Sequence, residues 1–598
     1  MEHFFSEKKI FFFLAALCIL TTLLYSGMLN YPITTNDDIV FFTKYPEILN
    51  LSWNSIGRYF SSYHASLYQP LTVLTFAINY HFTGTSPLSL HLVNLIFHLI
   101  NIILVFFFFN NLLKKPLVAI LIAFLFALHP MNVEAVTWIS ARSSTMYACF
   151  YLLSLIFYLR YSKGSQQIHL LFLSLLFFIL SLFSKVQAVT LPLVLLLLDY
   201  YTNRRNLKVV LIEKLPFLIL SLVFIIIAFS NSETSTVYTH SKLKLFTTFD
   251  ILFLNGGSLF FYLQKFLVPV DLSAVYLFPV KTNSGLPAGY YCYTCLILVL
   301  GILIYRFRKN RDLILGVGIF LLAISINLPL ISVRSVIVAD RYAYFPFLGL
   351  MMLVALFLHS FGCNHLSSGR KYIQGVTLFL LLYGSFYAYE TWEANKKWEN
   401  DLTLSTNIID RNPPVPSIAK IYRKRGNYFA SHQMLKEAVS DYSKAIELDP
   451  ENTDSFIKRA YIYLQLNDPE KALPDLDKGI ENKPDASVLY STRAMVKLNT
   501  GDALGAWADC NKSLALDSAN AEAYNFRAIL KFRSKDIHGA ELDLRSAVRF
   551  NNQYAEAYKN LGTVLFQVNN LTQACYYWKT AARLGNREAA QLVRSNCR

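Results

Sequence analysis

Two adjacent carboxylates, Asp37 and Asp38, follow the first hydrophobic segment of the chain. That segment covers about residues 10–29 and is preceded by Lys8 and Lys9. Because about 20 helical residues span a bilayer core, a helix here would deliver the two acids to the opposite membrane surface. A carboxylate partly enclosed by loops at such a surface is suited to accept a proton as a general base. The alternative interpretation is that Asn36 or Asp37 only caps a short helix over residues 39–42.

Composition places most of the chain in a membrane. Of 598 residues, 54% are hydrophobic and 15% aromatic. The net charge of +16 lies in small basic clusters between apolar runs, which is typical of cytoplasmic loops and excludes nucleic acid as a partner. Eight scattered cysteines predict no disulfide framework. The pair Cys292 and Cys295 lacks a second pair of ligands, so no metal site is predicted.

Eleven apolar stretches predict membrane spans. One further segment, 245–268, is interrupted by Asn255-Gly256-Gly257. If it lies on the outer surface or re-enters without crossing, every basic cluster faces the cytoplasm, and so does the N-terminus. Both acids and the C-terminus then lie outside. The predicted spans are near 10–29, 88–112, 117–137, 143–161, 168–183, 186–202, 209–230, 289–305, 313–332, 342–361 and 372–390.

The same topology gathers ionisable residues at the outer helix ends. The span interiors carry almost no charge, whereas a transporter relay needs ionisable groups at mid-membrane depth. His98 lies inside a span, where hydrogen bonding to a neighbouring helix is a better explanation than catalysis. The residues predicted at outer helix ends include His129, Glu134, Arg142, Lys185 and Arg341.

A 34-residue period begins after a polar connector at 391–418. Small residues recur at three phases and an aromatic residue at a fourth, five times each. Such residues let paired helices approach closely, which is typical of tetratricopeptide (TPR) repeats, so we predict five repeats over 419–588 and a tail at 589–598. One small-residue phase contains Ala438, Ala472, Ala506, Ala540 and Ala574, and the aromatic phase contains Tyr422, Phe456, Tyr490, Tyr524 and Tyr558.

Four motifs, in this order, resemble the transmembrane-and-TPR O-mannosyltransferases and their bacterial relatives, within the GT-C class of glycosyltransferases. The first combines Tyr68-Gln69-Pro70-Leu71 with His91-Leu92-Val93-Asn94. The others are His129-Pro130-Met131-Asn132-Val133-Glu134, Asp340-Arg341-Tyr342, and Trp392 with Trp398 before the repeats.

The resemblance implies an all-α chain with a GT-C-type membrane domain at 1–390. It implies Asp37 as the catalytic carboxylate, with Asp38 in support. The available cations for a donor phosphate are Arg142, Lys185 and Arg341; snorkelling at the interface is the alternative for Lys185. The residues expected to shape the loops are His129, Glu134, Tyr68, Gln69 and Tyr342. Gln69 departs from the family pattern, which often has a basic residue before this proline.

The resemblance further implies a lipid-linked sugar phosphate as donor, with mannose as the leading candidate and no metal requirement. A protein or peptide acceptor would bind in the TPR groove. The surrounding membrane lipids would belong to a bacterial inner membrane or the endoplasmic reticulum, with the repeats on the periplasmic or luminal side. One alternative remains open at this point, a catalytically inactive membrane anchor that presents a TPR scaffold. A transporter or flippase of lipid-linked sugars is disfavoured, because the span interiors carry almost no charge.

Overall fold

The computed structural model describes residues 7–34, 37–64, 67–164, 167–204, 206–230, 246–282, 285–329, 336–365 and 369–597. Within these ranges the chain forms helices and isolated bridges, with no named strand. It divides into two compact units, Met1–Asn412 and Pro413–Arg598. The predicted all-α class is confirmed.

The first unit contains seventeen α-helices within the described ranges. Several begin with proline at the first helical position. An N–H there would have no carbonyl partner within the helix, so proline costs no hydrogen bond. They are α1 (Glu7–Tyr25), α2 (Asp37–Thr43), α3 (Trp53–Ser61), α4 (Pro70–Thr83), α5 (Pro87–Leu113), α6 (Pro116–Leu128), α7 (Val133–Thr137), α8 (Arg142–Lys163), α9 (Ile168–Ser184), α10 (Leu191–Tyr201), α11 (Leu207–Phe229), α12 (Thr248–Leu267), α13 (Ala288–Arg306), α14 (Arg311–Ser325), α15 (Phe347–His365), α16 (Gly369–Lys396) and α17 (Asp401–Arg411).

Four helical segments of the described residues are long and apolar enough to cross a membrane: Glu7–Asn30, Pro87–Leu113, Leu207–Ala228 and Ala288–Arg306. A fifth is possible if α6 and the helical segment Pro130–Thr137, which meet at 57°, form one broken span. These helices confirm a membrane protein. The count of eleven spans stays a prediction.

The expected interruption at Asn255-Gly256-Gly257 is wrong, because α12 runs through it without a break. Its start is fixed by a capping box, in which Thr247 Oγ1 accepts from the Asp250 N–H and Asp250 accepts from the Thr247 N–H. The glycines are needed for close packing on α13. A Cβ on Gly256 would lie 2.1 Å from Thr294 Oγ1. Close helix contact, and not a chain break, therefore explains this glycine pair.

The second unit consists of paired antiparallel helices, as the 34-residue period predicts. In each of the first four repeats an arginine of the first helix binds an aspartate of the second, sixteen residues later; Arg459 and Asp475 are one such pair. The helices are α18 (Ala419–Ser431), α19 (Leu435–Leu448), α20 (Thr453–Gln465), α21 (Pro469–Asn482), α22 (Ser487–Thr500), α23 (Ala503–Leu516), α24 (Ala521–Arg533), α25 (Ile537–Phe550), α26 (Ala555–Gln567), α27 (Leu571–Arg583) and α28 (Arg587–Asn596).

The C-terminus departs from expectation in two ways. Residues 589–598, expected to form a tail, lie largely in α28. The prediction of no disulfide is also wrong, since Cys575 on α27 is bonded to Cys597, just after α28. The cysteine spacing alone did not reveal this pairing, because it depends on α28 folding back along α27.

We expect Cys597→Ser to loosen α28 specifically. Closing a 22-residue loop constrains the unfolded chain by about 3 kcal/mol in the chain-entropy model. Hydrogen exchange of the full chain should therefore accelerate in α28 and remain unchanged in α18. Cys295→Ser, which alters an exposed free thiol, is the matched control. Unchanged protection of α28 in Cys597→Ser would contradict a stabilising role for the disulfide.

Candidate active site

Asp38, near the start of α2, accepts hydrogen bonds from Thr34 and Ser140. The Thr34 hydroxyl donates to Asp38 Oδ2 at 2.8 Å. The Ser140 N–H donates to Asp38 Oδ1 at 2.8 Å, and the Ser140 hydroxyl donates to the same oxygen. Asp38 is only 1% exposed. Its carboxylate therefore ties the loop after α1 to the stretch before α8.

Asp37 is the first residue of α2, and its side chain lies outside what the structure describes. Its backbone is adjacent to Asp38, so the same hydrogen bonds restrain its position. The assignment of Asp37 as the catalytic carboxylate stays a prediction.

Residues 129–142, which we call the bridging segment, contain the second motif and contact the other three. Asn94 of the first motif donates to the Trp138 carbonyl at 3.0 Å. Glu134 accepts from Arg341 of the third motif. The Trp138 ring stacks on Trp398 of the fourth motif, with ring centroids 5.7 Å apart. The second motif forms the start of the bridging segment itself, so one short stretch brings the four motifs together.

Arg142 ends the bridging segment and is fully buried. Its Nε donates to Asn94 Oδ1 at 3.0 Å, and its Nη2 donates to the Leu90 carbonyl at 2.9 Å. Its Nη1 donates to Asn79 Oδ1 at 2.7 Å and to Thr75 Oγ1 at 3.2 Å. These contacts join α4, α5 and α8. In this structure Arg142 supports helix packing, and its predicted contact with a donor phosphate stays a prediction.

Arg341 and Lys185 approach the ring of Tyr342. The Arg341 guanidinium lies 5.0 Å from the ring centroid and the Lys185 ammonium 5.9 Å from it. The Arg341 guanidinium forms an ion pair with Glu134. The backbone N–H of Arg341 also donates to Glu134 Oε2 at 2.7 Å. Lys185 Nζ donates to Ser144 Oγ at 2.6 Å. Two of the three predicted phosphate-binding cations therefore lie near one aromatic ring.

The remaining predicted loop-shaping residues are His129, Tyr68 and Gln69. His129 Nδ1 accepts from the Met131 N–H at 3.2 Å, which leaves Nε2 to donate to the Phe266 carbonyl at 3.3 Å. The Tyr68 hydroxyl donates to the Phe60 carbonyl at 2.9 Å. Gln69 is buried directly before α4.

A small cavity lies where the second, third and fourth motifs meet. Glu134, Asp340, Lys397, Trp398 and Asn407 contribute to its lining. Burial raises the pKa of Asp340 well above its usual range, and the negative charge of Glu134 adds to that effect. The Tyr276 hydroxyl donates to Asp340 Oδ1 at 2.9 Å. Burial also lowers the pKa of Lys397.

Sequence reasoning did not single out Ser140, Asp340 or Lys397. Ser140 lies after the second motif, in a stretch with no recognisable pattern. Asp340 is distinguished in the sequence only as the first residue of the third motif. Across the part of the chain that the structure describes, no group of three His, Cys, Asp or Glu side chains is placed to hold a metal ion.

Two curated proteins that are similar to this chain are named as protein O-mannosyl-transferases. The chain is 26% identical over 441 residues to "Protein O-mannosyl-transferase F38B6.6" of Caenorhabditis elegans, covering 71% of this chain and 59% of that protein. The chain is therefore similar to a protein named as a protein O-mannosyl-transferase. Identity to "Protein O-mannosyl-transferase TMTC3" of Homo sapiens is 22% over 448 residues, covering 67% of this chain and 46% of the human protein. The chain thus spans about half the length of the curated relatives it matches.

The repeat region has its own matches. A tetratricopeptide repeat family model matches residues 442–473. Among solved structures, "Crystal structure of YrrB: a TPR protein with an unusual peptide-binding site" is 17% identical, covers 32% of this chain and 97% of that chain, and has a TM-score of 0.24.

We expect Arg142→Lys to destabilise this protein. Lysine keeps the charge but lacks the planar fork that reaches Asn94, Asn79 and Leu90 together, and each lost hydrogen bond to a charged group is worth about 1.5–3 kcal/mol. The thermal midpoint of the purified protein in detergent should fall by several degrees. Arg160→Lys, an exposed exchange near the other end of α8, should leave it unchanged. Equal midpoints for the two variants would contradict this role of Arg142.

Proposed function

We propose that the chain is an integral-membrane glycosyltransferase. It moves a sugar, with mannose as the leading candidate, from a polyprenyl- or dolichyl-phosphate donor to a hydroxyl of a protein acceptor on the non-cytoplasmic side. The observation that carries this proposal is the bridging segment, which holds Asp38 through Ser140 and Arg341 through Glu134. The names and coverage of the relatives support the same reaction class.

The proposed reaction is an inverting displacement. Asp37 accepts the proton of the acceptor hydroxyl as its oxygen forms a bond to the anomeric carbon of the sugar. The bond from that carbon to the phosphate oxygen breaks, and the lipid phosphate departs with the negative charge. Arg341 and Lys185 stabilise that charge, since cations placed where charge develops lower the barrier. Asp38 does not touch the reacting atoms and positions Asp37.

The disulfide supports the proposed sidedness of the repeats. Disulfides persist in the periplasm, the endoplasmic reticulum lumen and outside the cell, and are rare where thiols are kept reduced. The bond between Cys575 and Cys597 lies within the second unit. This agrees with the charge pattern, which predicts the repeats on the same side as Asp37. The TPR stack then serves to bind the acceptor, because a repeat solenoid offers an extended surface and no chemistry of its own.

We expect Asp37→Asn to abolish most of the turnover. Asparagine keeps the shape of the side chain but cannot take a proton near neutral pH, so the rate should fall by about two to four orders of magnitude while donor binding changes little. The assay is transfer of labelled mannose from polyprenyl-phosphate-mannose to a Ser/Thr-containing peptide by the purified chain in liposomes.

The matched control separates a base from a helix cap. Asp502 caps α23 by accepting from the Gly505 N–H, and asparagine caps about as well as aspartate. Asp502→Asn should therefore be silent in the same assay. If a well-folded Asp37→Asn is also silent, Asp37 is a cap and the catalytic assignment is wrong. If the unaltered chain transfers no sugar from any lipid-phosphate donor, the inactive scaffold is the better account.

A further inference from the structure

The first helices of repeats two to five bring polar side chains to one place in the TPR stack. Successive first helices α20, α22, α24 and α26 pack against one another. Asn560 Nδ2 donates to Asn525 Oδ1 at 2.9 Å, and Asn525 Nδ2 donates to the Tyr554 hydroxyl at 3.2 Å. These two bonds connect a side chain of α26, a side chain of α24 and the tyrosine that follows α25. Together the three side chains form one polar row across repeats four and five. The row lies beside Glu522, whose charge acts on Tyr554.

Glu522 is the second residue of α24, and one of its oxygens is unsatisfied. Oε2 is buried and has no hydrogen-bond partner among the described residues. Leaving a buried carboxylate oxygen without a donor costs free energy, so this oxygen favours the approach of a hydrogen-bond donor. Burial raises the pKa of Glu522, while the Ser491 hydroxyl and the charge of Lys458 lower it. Burial raises the pKa of Tyr461 to about 12, with the charge of Glu522 contributing.

Two other repeats carry an acid at the same position, and both acids are neutralised by this chain. Asp454, the second residue of α20, forms an ion pair with Arg423 at 3.1 Å. Glu556, the second residue of α26, pairs with Lys559, and its Oε2 accepts from Asn586 Nδ2 at 2.9 Å. For Glu522 the described residues provide no cation within ion-pair distance. Of these three acids, Glu522 is the one with a buried oxygen that no described residue satisfies.

We propose that Glu522 binds a lysine or arginine side chain of an extended peptide lying along repeats three to five. A cation satisfies the open carboxylate oxygen with a charge-assisted hydrogen bond, and the nearby Tyr461 and Tyr554 accommodate its apolar stem. Carboxamides such as Asn525 and Asn560 offer both donors and acceptors to a peptide main chain. The proposal rests on the proposed function in that it specifies the acceptor, which is a Ser/Thr-containing segment with a nearby basic residue.

The test compares two fluorescent twelve-residue peptides with the full chain in detergent. Both contain Ser, Thr and Ala, and they differ only in a central lysine or norleucine. The lysine peptide should bind at least about tenfold more tightly, as one charge-assisted hydrogen bond is worth about this much. Glu522→Gln should remove the preference without lowering the thermal midpoint. Glu556→Gln, at the equivalent position of the next repeat, should keep the preference.

The inference is overturned by equal binding of the two peptides, by no binding of either, or by a lysine preference that survives Glu522→Gln. Competition by free butylamine as strong as that by the lysine peptide would also overturn it, because it would show a site for small amines and not for a peptide. Transfer of mannose to both peptides at equal rates would leave the proposed function standing while this inference fails. Absence of transfer to any acceptor would count against the function whatever the binding result.

Discussion

The hydrogen bonds from Ser140 to Asp38 constrain the region where chemistry is proposed. Asp38 is nearly inaccessible to solvent, and both of its oxygens accept hydrogen bonds. A buried carboxylate is tolerated only when it is well hydrogen-bonded, so this side chain fixes the loop before α2 against the bridging segment. Asp37 starts the same helix and is restrained by the same contacts. In the proposed reaction, Asp38 therefore positions the start of α2 and Asp37 accepts the proton.

The bridging segment extends this constraint to residues far apart in sequence. The same stretch orients Arg341 through Glu134, stacks Trp138 on Trp398 and ends in Arg142, which joins α4, α5 and α8. An Arg guanidinium held by a carboxylate keeps a defined direction, which is the preorganisation that stabilisation of a departing phosphate requires. A shift of the bridging segment would move the acids and the cation together.

Much of this arrangement could be predicted from the sequence, because periodicity and motif order survive without tertiary detail. The 34-residue period predicted the TPR unit, and the charge pattern predicted residues such as Glu134 and Arg341 at the outer helix ends. Other features depend on packing that the sequence does not display. Ser140 is important because its N–H and hydroxyl both donate to a carboxylate. Gly256 is required because Thr294 of another helix packs against it. Cys575 bonds to the cysteine that the path of α28 brings close.

The central claim is that Asp38 acts through Asp37, and a double-mutant cycle on the single-turnover rate of sugar transfer tests it most directly. The rates of Asp37→Asn, Asp38→Asn and the double variant are measured with saturating donor. Groups that act as a unit have non-additive effects, so the double variant should be slower than Asp37→Asn by no more than about threefold. If the two losses multiply, the acids act independently and Asp38 does not serve to position Asp37.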